Sequence, residues 1–127
     1  MRRAMLLAAV GALLLAAVAS TALARDKAPT RVTIDTAMRT PTEDQWAGDI
    51  FSGRKVCKDG RRVLVMLQRP GDDRKIGSTL SFEGTGQPGY FWIYSQTDRA
   101  PSGRYYAKVR ATDRCQGDRS EAIQSEW

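Results

Sequence analysis

The chain has 127 residues, of which 20 are basic, 14 are acidic and none is histidine, and its net charge at neutral pH is +6. This length predicts a single domain with one hydrophobic core. Because histidine is absent, the sequence excludes Ser-His-Asp and Cys-His catalytic pairs and zinc sites with histidine ligands.

The first 24 residues have the pattern of a helical signal peptide. Arg2 and Arg3 precede an uncharged run, Ala4–Ala24, that is rich in Leu, Ala and Val and ends in an A-x-A cleavage site. We therefore expect cleavage after Ala24 and secretion of residues 25–127, whose 18 basic and 14 acidic residues leave a net charge of +4. The alternative is an uncleaved segment that anchors the domain, because about 20 apolar residues can span a bilayer.

Two cysteines, Cys57 and Cys115, lie in the exported part. An even number of cysteines in an oxidising compartment predicts one disulfide bond. Closing a loop of 58 residues stabilises the folded state by about 4 kcal/mol in the chain-entropy model. The alternative is a redox pair or a metal site, but the sequence lacks the CxxC spacing that is typical of both.

Residues 31–67 contain three stretches with the two-residue period of strands, the first of which alternates between polar and apolar side chains. Arg31–Asp35 is the first predicted strand. Two more predicted strands follow, with core-facing residues at Trp46, Gly48 and Ile50 in one and at Val63, Val65 and Leu67 in the other. Lys58-Asp59-Gly60 supplies the turn between them.

The second half of the chain continues in the same way. A fourth strand is predicted over Lys75–Glu83, and the aromatic segment Tyr90–Tyr94 is the fifth. Arg104–Arg110 is the sixth, and a short strand within Ala122–Trp127 is the seventh. The residues expected to share one side are Ile76, Leu80 and Phe82 in the fourth strand and Tyr105, Ala107 and Val109 in the sixth.

Six or seven short strands separated by Gly and Pro turns predict an all-β, antiparallel β-sandwich. A small barrel is the alternative architecture. The chain shows no internal repeat and so no sign of a second domain.

Two stretches resemble motifs of small secreted bacterial β-sandwich proteins. Phe51–Val65 is similar to their S-x-x-x-x-C-x-x-x-R-x-V-x-V signature, and Gly103–Ser120 is similar to their G-x-(Y/F)-Y-A-x-V…C-x-x-x-x-S ending. The resemblance implies an immunoglobulin-like sandwich of the transthyretin-like or carboxypeptidase-regulatory-like type. It implies an exported, non-enzymatic accessory or surface protein, with no catalytic residues and no cofactor.

A cluster of basic residues surrounds the first cysteine. The disulfide is expected to bring two more arginines beside it, which gives a candidate patch for anionic ligands, composed of Arg54, Lys55, Lys58, Arg61, Arg62, Arg114 and Arg119. Such a patch suits the phosphate or carboxylate groups of a cell-envelope polymer. The alternative is an ordinary solvated turn.

The aromatic segment offers a second candidate surface. If Phe91 and Ile93 faced the core, then Tyr90, Trp92 and Tyr94 would form an exposed aromatic face on which a sugar or a partner protein could stack. The alternative, which the sequence favours, is that the larger rings fill the core.

These features favour a non-catalytic binding or structural module at the cell surface. One alternative is a hydrolase that works through paired carboxylates, and another is an inhibitor or effector that presents a loop to a partner protein. We expect no metal site, although Asp72-Asp73 could be read as a calcium turn, and no nucleic-acid partner, because the charge is modest and no binding motif is present. The expected partner is an anionic cell-envelope polymer or another extracellular protein.

Overall fold

The computed structural model describes residues 26–127; the predicted signal peptide lies outside these residues. The described part contains ten strands and one 3-10 turn, Lys55–Cys57. The strands are β1 (Thr30–Val32), β2 (Thr36–Arg39), β3 (Asp44–Ser52), β4 (Arg62–Leu67), β5 (Arg74–Leu80), β6 (Phe82–Glu83), β7 (Tyr90–Gln96), β8 (Arg104–Val109), β9 (Asp118–Arg119) and β10 (Ile123–Gln124).

The strands form two antiparallel sheets that pack face to face. The first sheet has the order β1-β3-β7-β6, and β2 also pairs with β3; the second has the order β10-β8-β4-β5, and β9 also pairs with β8. The prediction of an all-β, antiparallel sandwich is therefore confirmed. The first predicted strand is interrupted by a bend at residues 33–35, so β1 and β2 pair in turn along the same edge of β3.

The predicted core faces of three strands are confirmed. Trp46 and Ile50 of β3, Val63 and Val65 of β4 and Tyr105 of β8 are almost completely buried between the sheets. Because alternate residues of a strand point to opposite faces, the intervening residues of these strands form the outer faces of the sandwich. These outer faces carry the candidate functional surfaces.

The predicted fourth strand is wrong in one respect, because the chain leaves the second sheet at Ser81 and enters the first. The Ser81 amide donates to the Arg61 carbonyl oxygen at 2.8 Å, and the Ser81 hydroxyl bonds to the Lys58 carbonyl oxygen. This corner divides the segment into β5 and β6. Leu80 stands opposite the outward-facing Arg62, after a register shift in the β4–β5 pairing, and is 50% exposed. Phe82 lies in the other sheet and is 42% exposed, so neither residue shares a side with the partly buried Ile76.

The predicted disulfide, Cys57–Cys115, is present and buried. It lies at one end of the sandwich, where the described chain begins. The Ala28 amide donates to the Arg114 carbonyl at 2.9 Å, and the Gln116 amide donates to the Ala28 carbonyl at 2.8 Å. The start of the domain is thus hydrogen-bonded to the segment that contains the second cysteine.

The other end of the sandwich is closed around the carboxylate of Asp44, which is fully buried. Arg39 donates to it through two nitrogens, at 2.6 and 3.0 Å, and Arg99 donates at 2.9 Å. The Ala100 amide is a further donor at 2.8 Å. The Arg39 guanidinium also lies 4.7 Å from the ring centre of Trp127, so this cluster holds the final residue of the chain against the core.

Candidate functional site

The structure separates the predicted basic patch into three groups. Arg61 is a buried residue, only 5% exposed. Its guanidinium donates to the Thr30 hydroxyl at 3.1 Å and to the carbonyl oxygens of Cys57, Arg110 and Gln116 at 3.0, 3.0 and 3.3 Å. The interpretation of Arg61 as a ligand-binding residue is therefore wrong, since its donors are used within the fold.

The second group surrounds the disulfide and consists of Arg54, Lys55, Lys58 and Arg114. Arg54, Lys55 and Arg114 are exposed, while Lys58 is half-buried and its ammonium nitrogen lies 4.9 Å from the ring centre of Tyr90. Three acidic residues lie in the same loops: Asp26, Asp59 and Asp113. The positive charge at this end is consequently diluted.

The third group, Arg62 and Arg119, belongs to a larger basic surface on the outer face of the second sheet. We call this surface the basic face. Its exposed cations come from four neighbouring strands and are Arg62, Lys75, Arg104, Lys108 and Arg119. The sheet pairing assembles these residues from distant parts of the sequence.

The side chain of Arg119 is held in place by its neighbours on this face. Its guanidinium carbon lies 3.8 Å from the ring centre of Tyr106, and one of its nitrogens lies 3.7 Å from a carboxylate oxygen of Asp73. The Tyr106 hydroxyl donates to the same carboxylate at 2.6 Å. A hydrogen bond from Tyr106 and another from the Arg69 amide lower the pKa of Asp73, with a smaller contribution from Arg119, so this carboxylate stays ionised.

A shallow groove of about 400 Å³ lies beside Asp73. Three arginines line it: Arg104 and Arg119 of the basic face, and Arg69, which follows β4 and is included in the basic face. Asp73 is the one carboxylate among the described residues that line the groove, so it neutralises only part of the charge of the three arginines. The groove therefore presents several guanidinium donors that can hydrogen-bond a phosphate or carboxylate group.

One pairing on the basic face is unfavourable for stability. Lys108 of β8 and Arg119 of β9 stand directly opposite each other. Like charges at such positions repel one another and destabilise a sheet. Asp73 offsets part of this repulsion through its ion pair with Arg119, and an anion bound beside Lys108 would offset more of it.

The sequence interpretation missed four members of this site: Arg69, Lys75, Arg104 and Lys108. Alternation along the strand does place Lys108 on the face opposite Tyr105 and Ala107, so the sequence predicts that this one cation points outward. The sequence does not show that β5, β4 and β8 are neighbours, and this neighbourhood creates the concentration of charge.

The predicted exposed aromatic face is not formed. Trp92 is fully buried, and Tyr90 and Tyr94 are half-buried and packed against the core. The Trp92 indole N–H donates to the Thr33 carbonyl at 2.9 Å, and the Tyr94 ring lies 5.7 Å from the ring of Trp46. A stacking platform on these three residues is therefore excluded by their burial.

Residues 26–127 contain no group of three or more histidine, cysteine or acidic side chains that could hold a metal ion. Within the same range no helix is long and apolar enough to cross a membrane.

Comparisons with known proteins add no family assignment. No family model matches the chain, and no match was found among curated proteins or among solved structures. The functional argument consequently depends on the geometry of the site.

Proposed function

We propose that the protein is an exported, non-catalytic β-sandwich that binds anionic polymers of the cell envelope through the basic face. The observation that carries this proposal is the convergence of Arg69, Arg104 and Arg119 on one groove. Arginine is the side chain best suited to bidentate hydrogen bonding of phosphate and carboxylate groups. A polymer would place successive charges along the face, beyond the groove itself.

Export is supported by the signal-like N-terminal sequence and by the buried disulfide. Structural disulfides persist in oxidising compartments and are rare in the cytosol. The immunoglobulin-like or transthyretin-like relationship belongs to the same proposal, and the two-sheet arrangement with one disulfide is compatible with it.

The expected affinity is moderate and depends on salt. Each exposed ion pair contributes about 0.2 to 1 kcal/mol, so several contacts must act together. Screening shortens the range of these interactions from about 8 Å at physiological ionic strength to about 3 Å at 1 M. A complex held by the basic face should therefore dissociate largely at high salt.

The test measures binding of the protein to two immobilised polymers, a polyphosphate and a carboxylated polysaccharide. We expect the Arg69→Gln, Arg104→Gln double variant to bind about 3- to 10-fold more weakly than the wild type, which corresponds to roughly 1 kcal/mol in total. The matched control is Arg54→Gln with Lys55→Gln, which removes the same charge at the disulfide end.

The control variant should bind like the wild type. An equal loss in both double variants would mean that only net charge matters, and a loss confined to the control variant would assign binding to the disulfide end. Either result, or wild-type binding that is unaffected by added salt, would overturn the proposal.

A further inference from the structure

The outer face of the first sheet is chemically different from the basic face. Phe51 of β3, Phe82 of β6 and Ile93 of β7 are 46%, 42% and 51% exposed. Phe91 lies between them, with its ring centre 6.4 Å from that of Phe82. Large apolar side chains that are exposed together on a small domain are typical of an interaction site.

A groove of about 370 Å³ crosses this face. Its apolar wall consists of Phe82, Phe91 and Ile93, and its polar side carries Asp35 and Asp49. This volume lies within the range of small-molecule sites, and an apolar wall with a few convergent polar groups is their usual composition.

The two carboxyl groups are brought together by the bend between β1 and β2. The Asp35 amide donates to the Ala47 carbonyl at 2.8 Å, which fixes the bend against β3. The Thr33 hydroxyl accepts from the Asp49 amide at 3.0 Å and lies 3.4 Å from a carboxylate oxygen of Asp35. The Thr33 hydroxyl thus links the backbone of Asp49 to the carboxylate of Asp35, and both acids line the groove.

No cation of residues 26–127 forms an ion pair with either carboxyl group. On β1, the guanidinium of Arg31 lies over the ring of Phe51, at 4.8 Å. On β7, the facing residues Phe91 and Ile93 are uncharged, and the loop from 84 to 89 contains no charged residue. Glu83 of β6 alternates with Phe82 and so belongs to the opposite face.

We propose that this groove is a second binding site, for a small molecule with a primary ammonium group on an aliphatic chain. The ammonium group would lie between Asp35 and Asp49, and the chain would lie against Phe82, Phe91 and Ile93. Charge complementarity supports this occupant, because neither acid forms an ion pair within residues 26–127, and the apolar wall suits the hydrocarbon part. The cations Arg31 and Arg119 line a second groove together with Asp35. The inference does not depend on the function of the basic face.

Binding of a cation at this position should release protons. Burial, followed by the hydrogen bond and the repulsion from Asp35, raises the pKa of Asp49. An ammonium ion beside Asp49 favours the ionised form of this carboxyl group. The affinity should consequently fall as the pH is lowered through the titration range of Asp49, and protons should be released on binding at moderately acidic pH.

The experiment is isothermal titration calorimetry of residues 25–127, folded with the disulfide intact, with hexylamine as the probe and hexanol as its uncharged match. We expect hexylamine to bind at least 10-fold more tightly than hexanol at pH 7. Titrations at a series of acidic pH values, each in two buffers with different ionisation enthalpies, should show a difference in heat that reports proton release.

Asp49→Asn is expected to weaken hexylamine binding at least 10-fold and to abolish the proton release, while leaving hexanol binding unchanged. Asp35→Asn serves as a second variant if Asp49→Asn folds poorly. Asp72→Asn, an exposed position outside the groove, is the control for net charge and should bind like the wild type. Equal binding of hexylamine and hexanol, an effect of Asp72→Asn as large as that of Asp49→Asn, or no detectable hexylamine binding at millimolar concentration would overturn the proposal.

Discussion

The guanidinium of Arg61 donates a hydrogen bond of 3.0 Å to the carbonyl oxygen of Cys57, so a buried cation and the disulfide stabilise the same end of the sandwich. The other acceptors of Arg61 belong to three further segments, at Thr30, Arg110 and Gln116. All of them are neutral oxygens. Arg61 therefore cross-links four segments without forming an ion pair.

The first prediction concerns this cross-link. Arg61→Met keeps much of the side-chain volume but leaves neutral acceptors of the guanidinium without a donor in a buried environment. We expect it to lower the free energy of unfolding by about 2 to 4 kcal/mol, measured by urea denaturation. The control, Arg62→Met, changes the exposed neighbour and should have an effect within about 0.5 kcal/mol. A neutral or stabilising Arg61→Met would show that the cost of burying the cation exceeds the value of its hydrogen bonds.

The second prediction separates the disulfide from the basic face. Replacing both Cys57 and Cys115 with Ala should lower the free energy of unfolding by about 4 kcal/mol, because the unfolded chain is no longer constrained. Polymer binding by the folded fraction should stay the same, since the arginine groove is built on other segments. This differs from the expectation from sequence that the disulfide assembles the patch. A loss of binding in the folded variant, under conditions where circular dichroism shows native structure, would contradict this assignment.

The core faces could be predicted from the sequence because the burial of alternate residues is a local property of a strand. Val63, Val65 and Leu67 illustrate this, since one face of β4 is apolar whatever its neighbours are. The break at Ser81 could not be predicted in the same way. It depends on hydrogen bonds to Lys58 and Arg61, which lie 20 or more residues earlier in the chain.

The basic face shows the same difference between what local alternation predicts and what depends on distant parts of the chain. Alternation from Val63 puts Arg62 outward and Arg61 inward, so the sequence did contain a signal against Arg61 as a ligand-binding residue. The groove between Arg69, Arg104 and Arg119 has no such local signal, because it depends on which strands are neighbours. Charge density along the chain is therefore a poor guide to charge density on the surface of a sheet.

The third prediction concerns acid stability. Hydrogen bonds from Arg39 lower the pKa of Asp44 well below its usual range, with further contributions from Ala100 and Arg99. Because the folded-state pKa lies below the unfolded value of about 3.9, the stabilisation is fully present above that value and is lost as the pH falls further. Thermal denaturation of the wild type should consequently show a falling midpoint below about pH 4.

Asp44→Asn tests this assignment directly. The substitution leaves two arginines at the core edge without their carboxylate, and we expect a loss of about 3 kcal/mol at pH 7. The difference from the wild type should shrink as the pH is lowered towards 2. Asp98→Asn, an exposed position, is the control and should follow the wild-type pH dependence. A constant difference between wild type and Asp44→Asn at every pH would mean that Asp44 acts through packing alone.

The fourth prediction concerns the close approach of the chain at Gly48. A β-carbon at this position would lie 2.0 Å from the Thr33 carbonyl oxygen and 2.8 Å from the Trp92 indole nitrogen. These two atoms form a hydrogen bond of 2.9 Å that passes over the glycine. Gly48→Ala should therefore displace the bend after β1 and break this bond.

We expect Gly48→Ala to lower the free energy of unfolding by about 3 kcal/mol, from overpacking together with the lost hydrogen bond. The matched control is Gly53→Ala, because a β-carbon at Gly53 has no atom within 4 Å and should be tolerated within about 0.5 kcal/mol. Urea denaturation gives both values, and the tryptophan fluorescence of the folded state, to which Trp46, Trp92 and Trp127 all contribute, reports a change in the indole environment. Since Asp35 lies in the same bend, Gly48→Ala should also weaken hexylamine binding. Equal stability of Gly48→Ala and Gly53→Ala would contradict the prediction, because it would show that the β1–β2 bend moves without cost.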